Sequence, residues 1–243
     1  MAERSSYLEV DGLRAHVTAP EGRPTGAVLL LPMITGIGEQ VREYARLIVE
    51  ETGAVALCWD PWHGKSSDDT PVEELHGMLG RLDDDAALAE QRTLVDHLVA
   101  EHGVEHVGVI GWCLGGRFAL LLAAHDDRVS SVVAYHPTIP GETPPNHTRD
   151  AIAAARTLDV PVMVHYPGED SIVPHHRFSA LQSALQERAT SAATVVHLYP
   201  RAQHGFSDRG RHGERANADA WALSWPQTTA FLDVAARLRA PDA

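Results

Sequence analysis

The sequence predicts an α/β fold with a mostly parallel central sheet and helices on both faces, and three observations predict it. Short β-branched apolar runs alternate with segments of helical periodicity, the pattern of chained βαβ units. The runs are apolar almost without interruption, as strands covered on both faces must be. The residues best suited to covalent chemistry fall just after individual runs, at the sheet end where parallel folds bind ligands.

Taken in order, Tyr7 to Val10 and Leu13 to Val17 flank Asp11-Gly12, a dipeptide that suits a tight hairpin. Val28 to Leu31 reads as a buried strand. Val41, Tyr44, Ala45 and Ile48 then recur at helical spacing, and Gly53 stands where a left-handed C-cap belongs. Ala54 to Trp59 is the next strand. A second helical stripe, Leu88, Leu94, Val95, Leu98 and Val99, is preceded by Asp83 to Asp85, whose charges favour a helix N-terminus, and is closed by Gly103. Val107 to Ile110, Ser131 to Tyr135, Val162 to Tyr166 and Thr194 to Tyr199 supply the later strands. The last helix is expected to carry Phe231, Val234, Ala235 and Leu238 on one face, with Pro226 near its first turn. No repeat, low-complexity tract or linker breaks the pattern, so residues 1–243 read as a single domain.

Composition narrows the function classes. At 243 residues, 44% apolar and 22% charged, the chain can bury a full core. A formal net charge of −13 argues against a nucleic-acid or anionic-membrane surface. The segment Met1-Ala-Glu-Arg-Ser-Ser6 lacks an apolar core like that of a secretory leader, and no apolar run approaches the length that spans a bilayer. With only Cys58 and Cys113 present, no disulfide scaffold is expected. These features together predict a cytoplasmic protein with free thiols, in which the Asn146-His-Thr148 sequon carries no glycan.

Chemistry concentrates at three turns. Val107-Gly-Val-Ile-Gly-Trp-Cys-Leu-Gly-Gly116 runs from a strand through a glycine-rich turn into the apolar run that begins at Phe118. This is the shape of a nucleophile elbow with cysteine in place of the usual serine. The glycines permit the sharp turn, and the helix N-terminus favours a thiolate at Cys113. A lone cysteine would otherwise be read as a small core residue. Asp170, in Tyr166-Pro-Gly-Glu-Asp-Ser-Ile-Val-Pro174, follows a strand and suits the acid of a triad; an Asx-turn is the competing reading, and Glu169 is the alternative acid. His204, in Pro200-Arg-Ala-Gln-His-Gly-Phe206, follows the last strand. The chain order Cys113, Asp170, His204 is that of nucleophile, acid and histidine in an α/β-hydrolase. An oxyanion hole would then use the N–H of Leu114 and a second N–H after the early strand, at Ile34.

These turns resemble those of the dienelactone hydrolase family, and the likeness runs from about Ala27 to the last helix. Gly111-Trp-Cys-Leu-Gly-Gly116 resembles that family's cysteine elbow, Asp170-Ser-Ile-Val-Pro174 its acid turn and His204-Gly-Phe206 its histidine turn. The resemblance implies hydrolysis of a small ester or lactone through a cysteine acyl-enzyme, with no metal or organic cofactor. The family's founding enzymes carry a glutamate that pairs with the resting thiol; at the matching position stands Met33, which cannot accept a proton. Where those enzymes place an arginine for the substrate carboxylate, this chain has Asp208, with Arg209 one residue on.

Other residues carry weaker expectations. Trp112, Tyr135, His136 and Phe206 flank the catalytic turns and read either as pocket lining or as core. Cys58 reads as packing, Asp60 as a turn or cap residue, and the adjacent His175 and His176 as a solvated helix start rather than metal ligands. The partner is expected to be a small-molecule ester or lactone, with the chain a monomer or small homo-oligomer. Two other functions stay open at this level. A thioesterase or acyltransferase on the same triad would make new esters or amides when given thiols or amines. A non-catalytic redox-sensing or binding module would need neither His204 nor Asp170.

Overall fold

The computed structural model describes residues 3–238, with side chains to 235. Met1, Ala2 and the Leu238 side chain lie outside the described residues. Strands β1 (Glu3–Val10) and β2 (Leu13–Pro20) form an antiparallel hairpin in which Val10 pairs with Leu13. Asp11 and Gly12 supply its two positive φ angles, 50° and 83°, as a two-residue turn of this hand requires. Strands β3 (Ala27–Leu31), β4 (Val55–Trp59), β5 (Val107–Trp112), β6 (Val129–Tyr135), β7 (Val162–Glu169) and β8 (Thr194–Gln203) complete an eight-stranded sheet. Its order is β1-β2-β4-β3-β5-β6-β7-β8, with β1·β2 and β2·β4 antiparallel and the other five pairs parallel.

Strand alternation divides the core between the two faces. Leu29, Leu31, Val55, Leu57, Val107 and Val109 point to one side, while Val28, Leu30, Ala56, Cys58, Ile110 and Trp112 point to the other. The second side is covered by α1 (Glu39–Thr52), which Gly53 ends at φ 72°, and by a long C-terminal helix. The first side is covered by α3 (Asp84–His102), α4 (Leu114–Ala123), α5 (Ala151–Thr157) and α6 (His175–Gln186). Asp83 caps α3 by accepting from Ala86 N at 2.9 Å. The buried Arg117 of α4 forks onto Asp84 of α3 with two bonds of 2.7 Å and also donates to the Arg149 carbonyl at 2.8 Å. Cys58 is wholly buried, and burial pushes its thiol far up, in keeping with a packing role. Asp60 pairs with Arg14 at 2.6 Å and accepts from Trp62 N and Gly64 N, so it organises the turn after β4.

Three parts of the chain differ from the expectation: residues 72–81, residues 151–157 and the last helix. The helix α2 (Val72–Met78), a 3-10 turn at Leu79–Arg81 and the short α5 carry too little periodicity to be read from the sequence. The last helix, α7 (Arg215–Leu238), begins well before Pro226, which sits inside it rather than at its first turn. Pro226 removes one N–H from the helical ladder. The aromatic anchors around it keep the helix whole: Trp225 Nε1 donates to Glu51 at 2.9 Å, and Trp221 packs tilted against Tyr44 at 5.0 Å. The buried side of its last turns is Leu232 and Ala235, whereas Val234 is 47% exposed, so the apolar stripe expected through Val234 is displaced. Among the described residues, no helix is long and apolar enough to cross a membrane.

The chain runs outward from β3 to β4, then crosses back to place β5 on the other side of β3. The loops after β3 and β5 therefore diverge, opening a crevice at the carboxyl ends of the strands, the usual ligand position in such sheets.

Candidate active site

Cys113 occupies the single-residue joint between β5 and α4, at φ 53° and ψ −112°. Left-handed φ is uncommon for a residue with a side chain and persists only where the surroundings over-determine it. Here they do. Cys113 N donates to the Tyr135 carbonyl at 3.0 Å, and the Cys113 carbonyl accepts from Arg117 N at 3.2 Å and Thr138 N at 3.0 Å. The turn closes tightly because two neighbours have no Cβ. A Cβ on Gly115 would lie 1.9 Å from the Leu31 carbonyl oxygen, and one on Gly111 would lie 2.1 Å from the Gly115 carbonyl oxygen. Gly115 N then reaches the Pro32 carbonyl at 3.1 Å, drawing the β3 loop, with Met33 and Ile34, against the start of α4.

Asp170 follows β7 and His204 follows the neighbouring β8, so parallel pairing brings residues 34 apart in sequence side by side. Asp170 Oδ1 accepts from Ile172 N and Val173 N, each at 2.8 Å, which fixes the carboxylate. Its Oδ2 accepts from His204 Nδ1 at 2.8 Å, leaving Nε2 as the free imidazole nitrogen. Both side chains are nearly sealed from solvent, at 7% for His204 and 0% for Asp170. Glu169 instead turns outward to Arg201 at 3.2 Å.

The electrostatics couple the thiol to the imidazole. Burial alone raises the Cys113 thiol, but the facing His204 charge, with hydrogen bonds from Thr138 and the Leu114 N–H, outweighs it and brings the thiol below its ordinary value. For His204, burial pulls downward, but the Cys113 sulfur and the Asp170 hydrogen bond prevail and push it up to about 10. Both shifts favour a thiolate–imidazolium pair. His204 Nε2 makes no hydrogen bond of normal geometry to the sulfur, so we read the coupling as charge facing charge.

Cys113 and His204 open into a cavity of about 550 Å³. Its walls are mostly apolar, built from Met33, Leu114, Val72, Leu79, Pro140 and Ile172. Ile34 lies on the same wall, and its carbonyl is held by Trp62 Nε1 at 2.6 Å. The outer rim joins the α2 segment to the loop after β6 through Asn146, whose Nδ2 donates to the Leu79 and Leu82 carbonyls at 2.9 and 3.0 Å.

The aromatic residues around the turns are core rather than lining. Trp112 sits at the end of β5 and faces the α1 side, stacked between Tyr44 at 4.8 Å and Tyr135 at 5.9 Å. Tyr135 stacks on His165 at 4.2 Å and shares a hydrogen bond with Thr228 at 2.7 Å. Phe206 is wholly buried against Tyr199. His136 lies behind the histidine turn, edge-on to His204 at 4.8 Å and bonded to Ser207 Oγ at 2.9 Å. Arg209 leaves the site to pair with Glu43 of α1 at 2.5 Å. His175 and His176 are exposed at the start of α6.

Of the lining residues that escaped the sequence reading, two stand near the chemistry. Arg211, two residues past Arg209, lies on the cavity wall with its Nε beside Gly205 and makes no ion pair among the described residues. Thr138 places Oγ1 at 3.0 Å from Cys113 Sγ. Neither belongs to a motif. The only sequence signal for Thr138 is a polar residue just past the strand that neighbours β5.

An eight-stranded, mostly parallel sheet with helices on both faces and its cavity at the carboxyl ends of the strands defines an α/β-hydrolase. The sequence matches the dienelactone hydrolase family over residues 13–235, and the chain belongs to that family; it is an ester-bond hydrolase. The carboxymethylenebutenolidase of Rhodococcus opacus is 29% identical over 218 residues, covering 85% of this chain and 80% of that protein. Among solved structures, a candidate dienelactone hydrolase from Klebsiella pneumoniae superposes with a TM-score of 0.80 at 23% identity, covering 93% of this chain and 98% of the other. A dienelactone hydrolase-like promiscuous phosphotriesterase from metagenomic libraries gives a TM-score of 0.71 at 21% identity, covering 96% and 98%. At such identities the two structures establish the fold alone.

Proposed function

We propose that the chain hydrolyses a small ester or lactone by covalent catalysis, with Cys113 as nucleophile, His204 as proton carrier and Asp170 as its orienting acid. The observation that carries this reading is the elbow. A thiol at a left-handed strand–helix joint shares its cavity with an imidazole whose other nitrogen is 2.8 Å from a buried carboxylate.

In the first step the thiolate adds to the carbonyl carbon, and the electron pair of the C=O bond moves to oxygen. The N–H groups of Leu114 and Ile34 stabilise that oxyanion. As the intermediate collapses, the bond to the alkoxy oxygen breaks and His204 Nε2 delivers its proton to that oxygen; in a lactone the new alcohol stays tethered to the acyl group. His204 then takes a proton from water, the resulting hydroxide attacks the thioester, and the acid and thiolate separate. Asp170 keeps Nδ1 occupied so that Nε2 does this work.

The direct test is mass spectrometry of enzyme quenched during turnover of p-nitrophenyl acetate. One acetyl group is expected on the peptide containing Cys113. Turnover without any adduct there, in rapid-quench samples, would overturn covalent catalysis at this residue.

Arg211 bears on the choice of ester. A cation without an ion-pair partner among the described residues, on a mostly apolar wall that also carries Asp208, favours substrates with an apolar body and an acidic group. Arg211→Ala is expected to raise KM for a carboxylate-bearing ester about tenfold, a loss of about 1.4 kcal/mol, while leaving a neutral ester of the same size nearly unchanged. Equal effects on both would remove the charge-recognition role.

A further inference from the structure

We propose that Thr138 is the positioning residue for the resting nucleophile, donating its hydroxyl proton to the Cys113 thiolate; this rests on the nucleophile reading above. The geometry is a two-point grip on one residue. Thr138 N donates to the Cys113 carbonyl at 3.0 Å, and Thr138 Oγ1 lies 3.0 Å from Cys113 Sγ. The backbone bond fixes where Thr138 stands, and its β-branched side chain has few rotamers with which to swing away. Its hydroxyl has no other hydrogen-bond partner among the described residues, so its one proton is available to the sulfur. Across the cavity, Met33 offers only a weak thioether acceptor and no donor.

The interaction changes with the state of the sulfur. A thiolate is a strong acceptor; the thioester of an acyl-enzyme is a weak one. Thr138 therefore stabilises the resting enzyme and also the thiolate that leaves during deacylation, where charge returns to the sulfur. No proton is transferred: the Thr138 proton stays on its oxygen, and the thiol proton resides on His204 Nε2. The charged and titratable groups around this sulfur are His204 from the loop after β8, with Asp170 and His136 behind it. Asp208 and Arg211 from the turn before α7, His76 from α2, and His147 from the loop after β6 line the same cavity.

The test is the pH dependence of Cys113 alkylation by iodoacetamide in wild type, Thr138→Val and Thr138→Ser. Valine keeps the shape and the backbone bond but loses the hydroxyl. It is expected to move the alkylation midpoint up by about one pH unit, a roughly tenfold loss of thiolate below the midpoint. Serine, which keeps the hydroxyl, is expected to stay near wild type. A valine profile that coincides with wild type, or a serine profile displaced as far as valine's, overturns the proposal. Acetylation of Cys113 by p-nitrophenyl acetate, followed in the same proteins, keeps the two ideas apart. If wild type turns over the ester without acetylating Cys113, the nucleophile reading fails, while the alkylation midpoints still report whether Thr138 governs the thiol.

Discussion

Cys113→Ala is expected to lower kcat/KM for activated esters by roughly four orders of magnitude or more, about 5 kcal/mol of transition-state stabilisation. The fold should survive the change. Cys113 is held by backbone bonds to Tyr135, Thr138 and Arg117, none of which uses the sulfur. Alanine also removes a buried thiol whose favourable state is charged, so the variant is expected to melt near wild type. Initial rates on p-nitrophenyl esters, with far-ultraviolet circular dichroism on the same samples, check both halves. Activity within tenfold of wild type would show that ester cleavage does not pass through this sulfur. The residual rate of a well-folded variant would measure what the cavity and backbone donors contribute without a nucleophile.

Gly115→Ala is expected to be the most damaging methyl group that can be added to the site. Its Cβ would be built 1.9 Å from the Leu31 carbonyl oxygen and 2.7 Å from that of Pro32, both backbone atoms of the central strand and its loop. Neither can move without parting β3 from α4, because Gly115 N is bonded to Pro32 at 3.1 Å. The expected cost is about 3 kcal/mol or more. In a chain of this size that lowers the melting temperature by roughly 6–12 °C. Activity should fall as well, since the displaced loop carries Ile34, the proposed second oxyanion donor. Thermal melts and esterase rates on this variant check the prediction. Gly213→Ala, where a Cβ meets nothing within 4 Å, serves as the control. A Gly115→Ala protein as stable as the control would mean that the close approach of helix and strand is not needed to hold the turn.

The parts of the structure that were legible in the sequence share a physical cause. β3 to β6 are buried throughout, so each reads as an apolar run, broken in β6 only by Ser130 and Ser131. The elbow shows itself because close backbone approach demands glycine at 111 and 115. The end of each helix α1 and α3 shows itself because left-handed caps demand Gly53 and Gly103, at φ 72° and 62°. Asp170 and His204 could be named because both stand just past a strand. The cavity walls offered no such constraint. Residues 72–82 and 137–150 send scattered side chains such as Leu75 and Ile139 into the core and are tied by isolated bonds such as Asn146 to Leu79 and Leu82, which leave no periodic trace. Thr138 and Arg211 reach the site only once distant loops are folded together. Pro226 misled because proline is commonest at a first turn, whereas here the anchoring of Trp221 and Trp225 carries the helix through it.

The left-handed backbone at residue 113 also limits which nucleophiles this scaffold can host. At φ 53° every residue with a Cβ is strained, and a β-branched side chain more so than one with a single substituent on Cβ. Thiol and primary alcohol can thus exchange at this position with little added strain, while a secondary alcohol carries a further backbone cost. If residue 113 is the nucleophile, the turn therefore suits cysteine and serine alike and disfavours threonine.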